Sequence, residues 1–155
     1  MLRENMEIED SGLNMLLNSP HMVVILMADK QIKEQLIKKM YNILGENGKH
    51  LICDISVKSW INGLVDSIQN KKNILEYKNS FVKYEYLILE DFYSPLYMKE
   101  NTQIELYYIL EKRLNEGKHT FLISDKMIFM DDCVGIISEI RKYLKSGYIV
   151  DALKL

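Results

Sequence analysis

Five short apolar runs alternate along the chain with segments of helical periodicity, and no two-residue hairpin turn joins any consecutive pair. The runs are Met22–Met27, His50–Ile55, Tyr84–Leu89, Thr120–Ser124 and Tyr148–Leu153. Strands that cannot pair through hairpins are joined by crossovers, which are right-handed and lay helices over the sheet. The pattern therefore predicts an α/β fold, a three-layer α/β/α sandwich around a five-stranded parallel sheet. The unbroken apolar character of Val23-Val-Ile-Leu26 fits a strand buried on both faces. Ligands of such sheets gather at the carboxyl ends of the strands, which directs attention to Ala28 to Lys30, Ser56, Glu90 to Tyr93 and Ser124 to Lys126.

The helical segments have their own punctuation. After Asp29, Ile32, Leu36, Ile37, Met40, Tyr41 and Leu44 recur at helical spacing, and Gly45 is placed to stop the helix. Ser56 caps a run in which Val57, Trp60, Ile61, Leu64, Val65 and Ile68 make one apolar face. Asn70-Lys-Lys-Asn73 interrupts it, and Ile74, Leu75, Tyr77, Lys78 and Phe81 outline a short helix. Thr102-Gln-Ile-Glu105 has the form of a capping box, opening a helix that Gly117 ends. A last helix, capped by Asp131 or Asp132, carries Cys133, Ile136, Ile137, Ile140 and Leu144 up to Gly147. No linker or low-complexity stretch divides the chain, so residues 1–18 read as an N-terminal segment able to form a helix and 19–155 as a single domain.

Charge and residue usage exclude several functions. Twenty Lys and Arg against 22 Asp and Glu leave a net charge of −2, which does not supply the basic face needed to hold duplex DNA by its phosphates. Cys53 and Cys133 lie far apart with no Cys or His at ligand spacing, so both are expected as small buried hydrophobes and no metal site is expected. His21, His50 and His119 each precede an apolar run, where a loop would deliver them to solvent, and none is expected to be catalytic. The apolar run Met22 to Ala28 is too short to span a membrane, and Glu4, Glu7, Glu9 and Asp10 stand where a signal peptide would be basic. A cytoplasmic protein is the expectation.

A phosphate cradle needs glycines after the first strand, because backbone N–H groups wrap an anion only where side chains are absent and φ is free. This chain has no glycine between Gly12 and Gly45. Lys30 and Lys33 are the available phosphate contacts, without the cradle. The third strand nevertheless ends Leu87-Ile-Leu-Glu-Asp91, an apolar run closed by two carboxylates, the form in which one acid positions a magnesium shell and the next polarises a water. The fourth ends on Ser124-Asp125.

These features occur in a recognisable order: Ser56 to Ile68, Asn70-Lys71-Lys72, Phe81-Val-Lys-Tyr-Glu85, Leu87-Ile-Leu-Glu-Asp91, Thr102-Gln103, Gly117-Lys118, Ile123-Ser124-Asp125 and Gly147-Tyr-Ile-Val-Asp151. The set resembles the AAA+ domain of the bacterial replication initiator DnaA and its relatives, over about Ser19 to Leu155. The resemblance implies a P-loop NTPase core in which Glu90 and Asp91 match the paired Walker B acids, and Ser124 and Asp125 match the sensor positions. It also implies departures. The glycine-rich Walker A segment is replaced, Tyr143 falls at the arginine-finger position with Arg141 the nearby substitute, and the family's lid and C-terminal DNA-binding domain have no counterpart after the fifth strand.

The expected function is a non-catalytic DnaA-like core without cofactor, a protein-interaction or regulatory module whose partner is a DnaA-type AAA+ protein or a second copy. A divergent ATPase using Lys30 or Lys33 with Glu90 and Asp91 is the alternative. Single-strand nucleic-acid binding by Lys71, Lys72, Lys78 and Lys83 with Tyr77 and Phe81 is another, expected to be weak or absent. Ten tyrosines enrich the chain in contact-forming rings, and Phe92, Tyr93, Leu96, Tyr97 and Met98 make the expected interface loop.

Overall fold

A computed structural model of the protein describes residues 10–19, 23–26, 30–48, 51–92, 99–124, 139–140, 142 and 148–151. Its elements are α1 (Asp10–Leu17), β1 (Val23–Leu26), α2 (Lys30–Gly48), β2 (Ile52–Ser56), α3 (Val57–Gln69), α4 (Ile74–Ser80), β3 (Tyr86–Glu90), α5 (Glu100–Asn115), β4 (His119–Ser124) and β5 (Tyr148–Asp151). The strands form one sheet in the order β2-β3-β4-β1-β5, and every pairing is parallel.

The order explains where the helices lie. From β1 the chain crosses toward one edge to reach β2, then returns strand by strand toward the other edge. Right-handed crossovers running in opposite directions place their helices on opposite faces. Accordingly α1 and α2 pack with Val23, Ile25, Ile88, Phe121 and Ile123 on one face, while α3 and α5 pack with Leu87, Leu89 and Leu122 on the other. Ile140, helical and fully buried, joins the second face. Leu13, Leu16 and Leu17 of α1 are buried in the first, so the N-terminal helix is part of the packed core.

Several local expectations are corrected. In α3, Val57, Trp60, Ile61 and Leu64 are buried, but Val65 and Ile68 are 43% and 53% exposed. The buried stripe turns instead to Ser67, whose hydroxyl donates to the Gly63 carbonyl at 2.9 Å, because Tyr77 of α4 lies against Gly63. A Cβ on Gly63 would stand 2.2 Å from the Tyr77 hydroxyl, so glycine permits the α3–α4 approach. The capping box at Thr102 does not form: α5 begins earlier, after an extended Lys99 that makes no side-chain cap. Gly45 breaks the helical geometry with φ 69°, but α2 resumes to Gly48 across the kink. Ser56 does cap α3, accepting from Ser59 N at 3.1 Å.

His119 is not a loop histidine. It opens β4 half-buried, stacked on Tyr86 at 5.0 Å, with Nδ1 3.1 Å from the Ser19 carbonyl oxygen. Cys53 is half-buried against the second core face, and burial, then the Asp54 charge, push its thiol pKa up against the lowering influence of Arg113. His21, His50 and Cys133 lie outside the described residues.

The candidate functional site at the carboxyl end of the sheet

All strands being parallel, their last residues share one end of the sheet. Ser56 pairs with Glu90, Leu26 with Ser124 and Leu89 with Leu122, so Ser124 stands one residue beyond the level of Glu90 at the same end of the sheet. Ser124 is buried there. Asp91 follows Glu90 with φ 50°, a left-handed conformation that aspartate tolerates better than most residues.

Lys33, in the first turn of α2, reaches both acids. Its Nζ lies 3.3 Å from Glu90 Oε1 and donates to Asp91 Oδ1 at 3.2 Å. The Lys33 side chain is 16% exposed, Glu90 21% and Asp91 65%. Burial acts to lower the Lys33 pKa, but the hydrogen bonds and charges of Asp91 and Glu90 outweigh it, and the net direction is upward. The ammonium is therefore held charged, with two carboxylates on the same nitrogen.

A further group belongs to the site that the sequence reading did not include. Asp54 pairs in register with Ile88, two residues before Glu90 on the same face of β3, which makes Asp54 and Glu90 diagonal neighbours within side-chain reach. Burial, then the hydrogen bond and charge of Glu90, raise the Asp54 pKa to about 8, with Lys33 acting in the other direction. Two carboxylates hydrogen-bond only when one carries a proton, and burial makes Asp54 the group that holds one more readily. Among the described residues its Oδ1 is buried without a hydrogen-bond partner. Tyr41 of α2 closes the group, its phenol pKa raised by burial and then by Asp54, Cys53 and Glu90. An aspartate in the middle of a short strand gives no motif, but the alternation Ile52, Asp54, Ser56 set against Ile88 and Glu90 was the available signal.

The linkage has a definite sign. The folded pKa of Asp54 lies above the unfolded value of 3.8, so folding takes up a proton between the two, and stability falls as pH rises from about 4 to about 8. Asp54→Asn keeps the shape and removes the titration. Its unfolding free energy is expected to exceed that of the native chain at pH 9 by at least about 1 kcal/mol, one pKa unit being worth about 1.4 kcal/mol. Near pH 4 the advantage vanishes. Urea unfolding across this range checks it, and a constant difference at all pH values would refute the protonated pair.

Lys30 begins α2, and Asp125, Arg141 and Tyr143 lie outside the described residues. Lys72 pairs with Asp66 at 3.6 Å, and Lys78 pairs with Glu105 while standing 4.5 Å above the Tyr108 ring. Lys71 and Lys83 are exposed. The rings offered for base stacking are turned inward: Phe81 is buried, and the Tyr77 hydroxyl donates to the Trp60 carbonyl at 2.7 Å. Phe92 is contradicted as an interface residue. It is fully buried in the second core face, and its N–H donates to the Ile123 carbonyl at 3.0 Å, continuing the β3–β4 ladder. Tyr93, Leu96, Tyr97 and Met98 lie outside the described residues.

Among the described residues no helix is long and apolar enough to cross a membrane, and no cluster of His, Cys, Asp and Glu is arranged to hold a metal ion.

Residues 33–151 match the family model for the bacterial DnaA ATPase domain. The chromosomal replication initiator proteins DnaA of Citrifermentans bemidjiense and of Geobacter sp. strain M21 are each 30% identical over 120 residues, 77% of this chain. The chain spans only 25% of the length of these relatives. Among solved structures, a replication initiator DnaA bound to AMPPCP and single-stranded DNA superposes with a TM-score of 0.75 at 20% identity, over 91% of this chain and 43% of that one. Domain III of the Thermotoga maritima replication initiation protein DnaA gives 0.73 at 17% identity, over 91% of this chain and 59% of that one.

Proposed function

The chain belongs to the bacterial DnaA ATPase domain family, and from that membership we propose that it is a non-catalytic member, a protein-interaction or regulatory module in replication initiation. The observation that carries this reading is the engagement of Lys33 by Glu90 and Asp91. A magnesium triphosphate needs a cation turned to its phosphates and carboxylates turned to the metal shell. Here the ammonium is engaged by both acids, which leave one negative charge in excess, so these residues as arranged do not favour that ligand. A core that keeps the AAA+ shape without the nucleotide switch can still associate edge to edge, which makes a DnaA-type protein or a second copy the partner of choice. Single-strand binding is less favoured, because Tyr77 and Phe81 are packed against Trp60.

The test mixes the purified chain with the full-length DnaA of the same cell. Co-elution on gel filtration and altered ATP-dependent assembly of the initiator are expected, with no phosphate release by the chain alone. ATP hydrolysis by the chain that is lost in Glu90→Gln would replace this reading with the divergent enzyme.

A further inference from the structure

We propose that the ion pairs of Lys33 with Glu90 and Asp91 are an internal closure of the strand-end site, an autoinhibitory contact in which the chain's own charges stand where a ligand would. The inference rests on the non-catalytic reading above. It goes further in locating the block in a contact that can be broken, rather than in the loss of the cationic group.

The geometry is built for closure. Consecutive residues of a regular strand project to opposite faces, so Glu90 and Asp91 would not ordinarily reach one cation. The left-handed φ of 50° at Asp91 ends the alternation, and both carboxylates come within 3.3 Å of the same Nζ. The contact joins residues 58 positions apart, from the helix on one face to the end of an inner strand, and so it ties α2 to the rim of the sheet. Lys33 is mostly shielded from water while Asp91 is exposed, which places a carboxylate on the solvent side of the ammonium. An anion approaching Lys33 meets that carboxylate first, and a cation approaching the acids meets an ammonium already seated between them. With one positive and two negative charges, the contact carries an excess negative charge that repels phosphates at short range.

The closure predicts a gain of binding when the acids are neutralised. The probe is sodium tripolyphosphate at low salt, read by thermal unfolding of the full chain. The native protein is expected to show no shift. Glu90→Gln/Asp91→Asn frees Lys33, and tripolyphosphate at ten times its Kd then raises the melting temperature by roughly 3–5 °C. Adding Lys33→Met to that variant abolishes the shift. Should the double variant fail to fold, Asp91→Asn alone decides, since asparagine accepts the left-handed conformation, and a smaller shift that depends on Lys33 is expected. A shift of equal size in the native chain would overturn both the closure and the reading it rests on. Folded variants that bind no better than the native chain would overturn the closure alone.

Discussion

Replacing Arg113 with methionine lowers the unfolding free energy by about 3–5 kcal/mol, the cost of dismantling a buried hydrogen-bonded charge. The guanidinium is wholly buried, and its N–H groups reach the Thr120 hydroxyl at 2.9 Å and the carbonyls of Phe81 at 2.9 Å, Tyr84 at 2.6 Å, Glu85 at 3.4 Å and His119 at 2.8 Å. These acceptors belong to the turn that leads into β3 and to the start of β4. The side chain therefore aligns the two strands at the end opposite the candidate site. Methionine fills much of the volume but donates to none of those acceptors, and the Thr120 hydroxyl and Phe81 carbonyl lose a donor in buried surroundings. Lysine keeps the charge without the fork and is expected to recover only part of the loss. Urea unfolding followed by circular dichroism measures both. A loss below about 1 kcal/mol for Arg113→Met would mean that water replaces the guanidinium at little cost.

Phe92→Ala is expected to cost a further large amount, about 3–5 kcal/mol, the range for removing a buried aromatic and leaving a cavity. A melting temperature lower by roughly 6–20 °C follows for a domain of this size. The ring is fully buried, in one cluster with Leu89, Leu106 and Leu122, so its removal strips contacts from both the sheet and α5. An interface residue would behave differently, leaving the melting curve in place while weakening association. Thermal unfolding alone separates the two, and an unchanged curve would return Phe92 to the surface.

Phe92 also shows why a part of the sequence reading failed. It follows two exposed-type acids and precedes a polar, proline-bearing stretch, so local composition assigns it to the loop. The backbone disagrees: its N–H continues the ladder to Ile123 after the left-handed turn at Asp91, which carries the ring inward. Val65 and Ile68 failed for a related reason. Helical periodicity identifies an apolar face but not how much of it a neighbour covers, and the α3–α4 contact is set by the space above Gly63.

What the sequence by itself determined is the order of the strands and of the helices between the first four, the parallel character of their pairing, the cap at Ser56 and the acids Glu90 and Asp91 at the end of β3 and just after it. Each follows from spacing over a few residues or from the absence of a hairpin turn, and such short-range constraints act before any tertiary contact forms. Only the tertiary structure decided that Lys33 meets Glu90 and Asp91, that Asp54 stands diagonally beside Glu90, and that Arg113 anchors the opposite end of the sheet. Those relations join residues far apart in the chain and depend on crossover direction and strand register. A one-residue slip of β2 against β3 would turn Asp54 to the other face and dissolve the site without changing a single local motif.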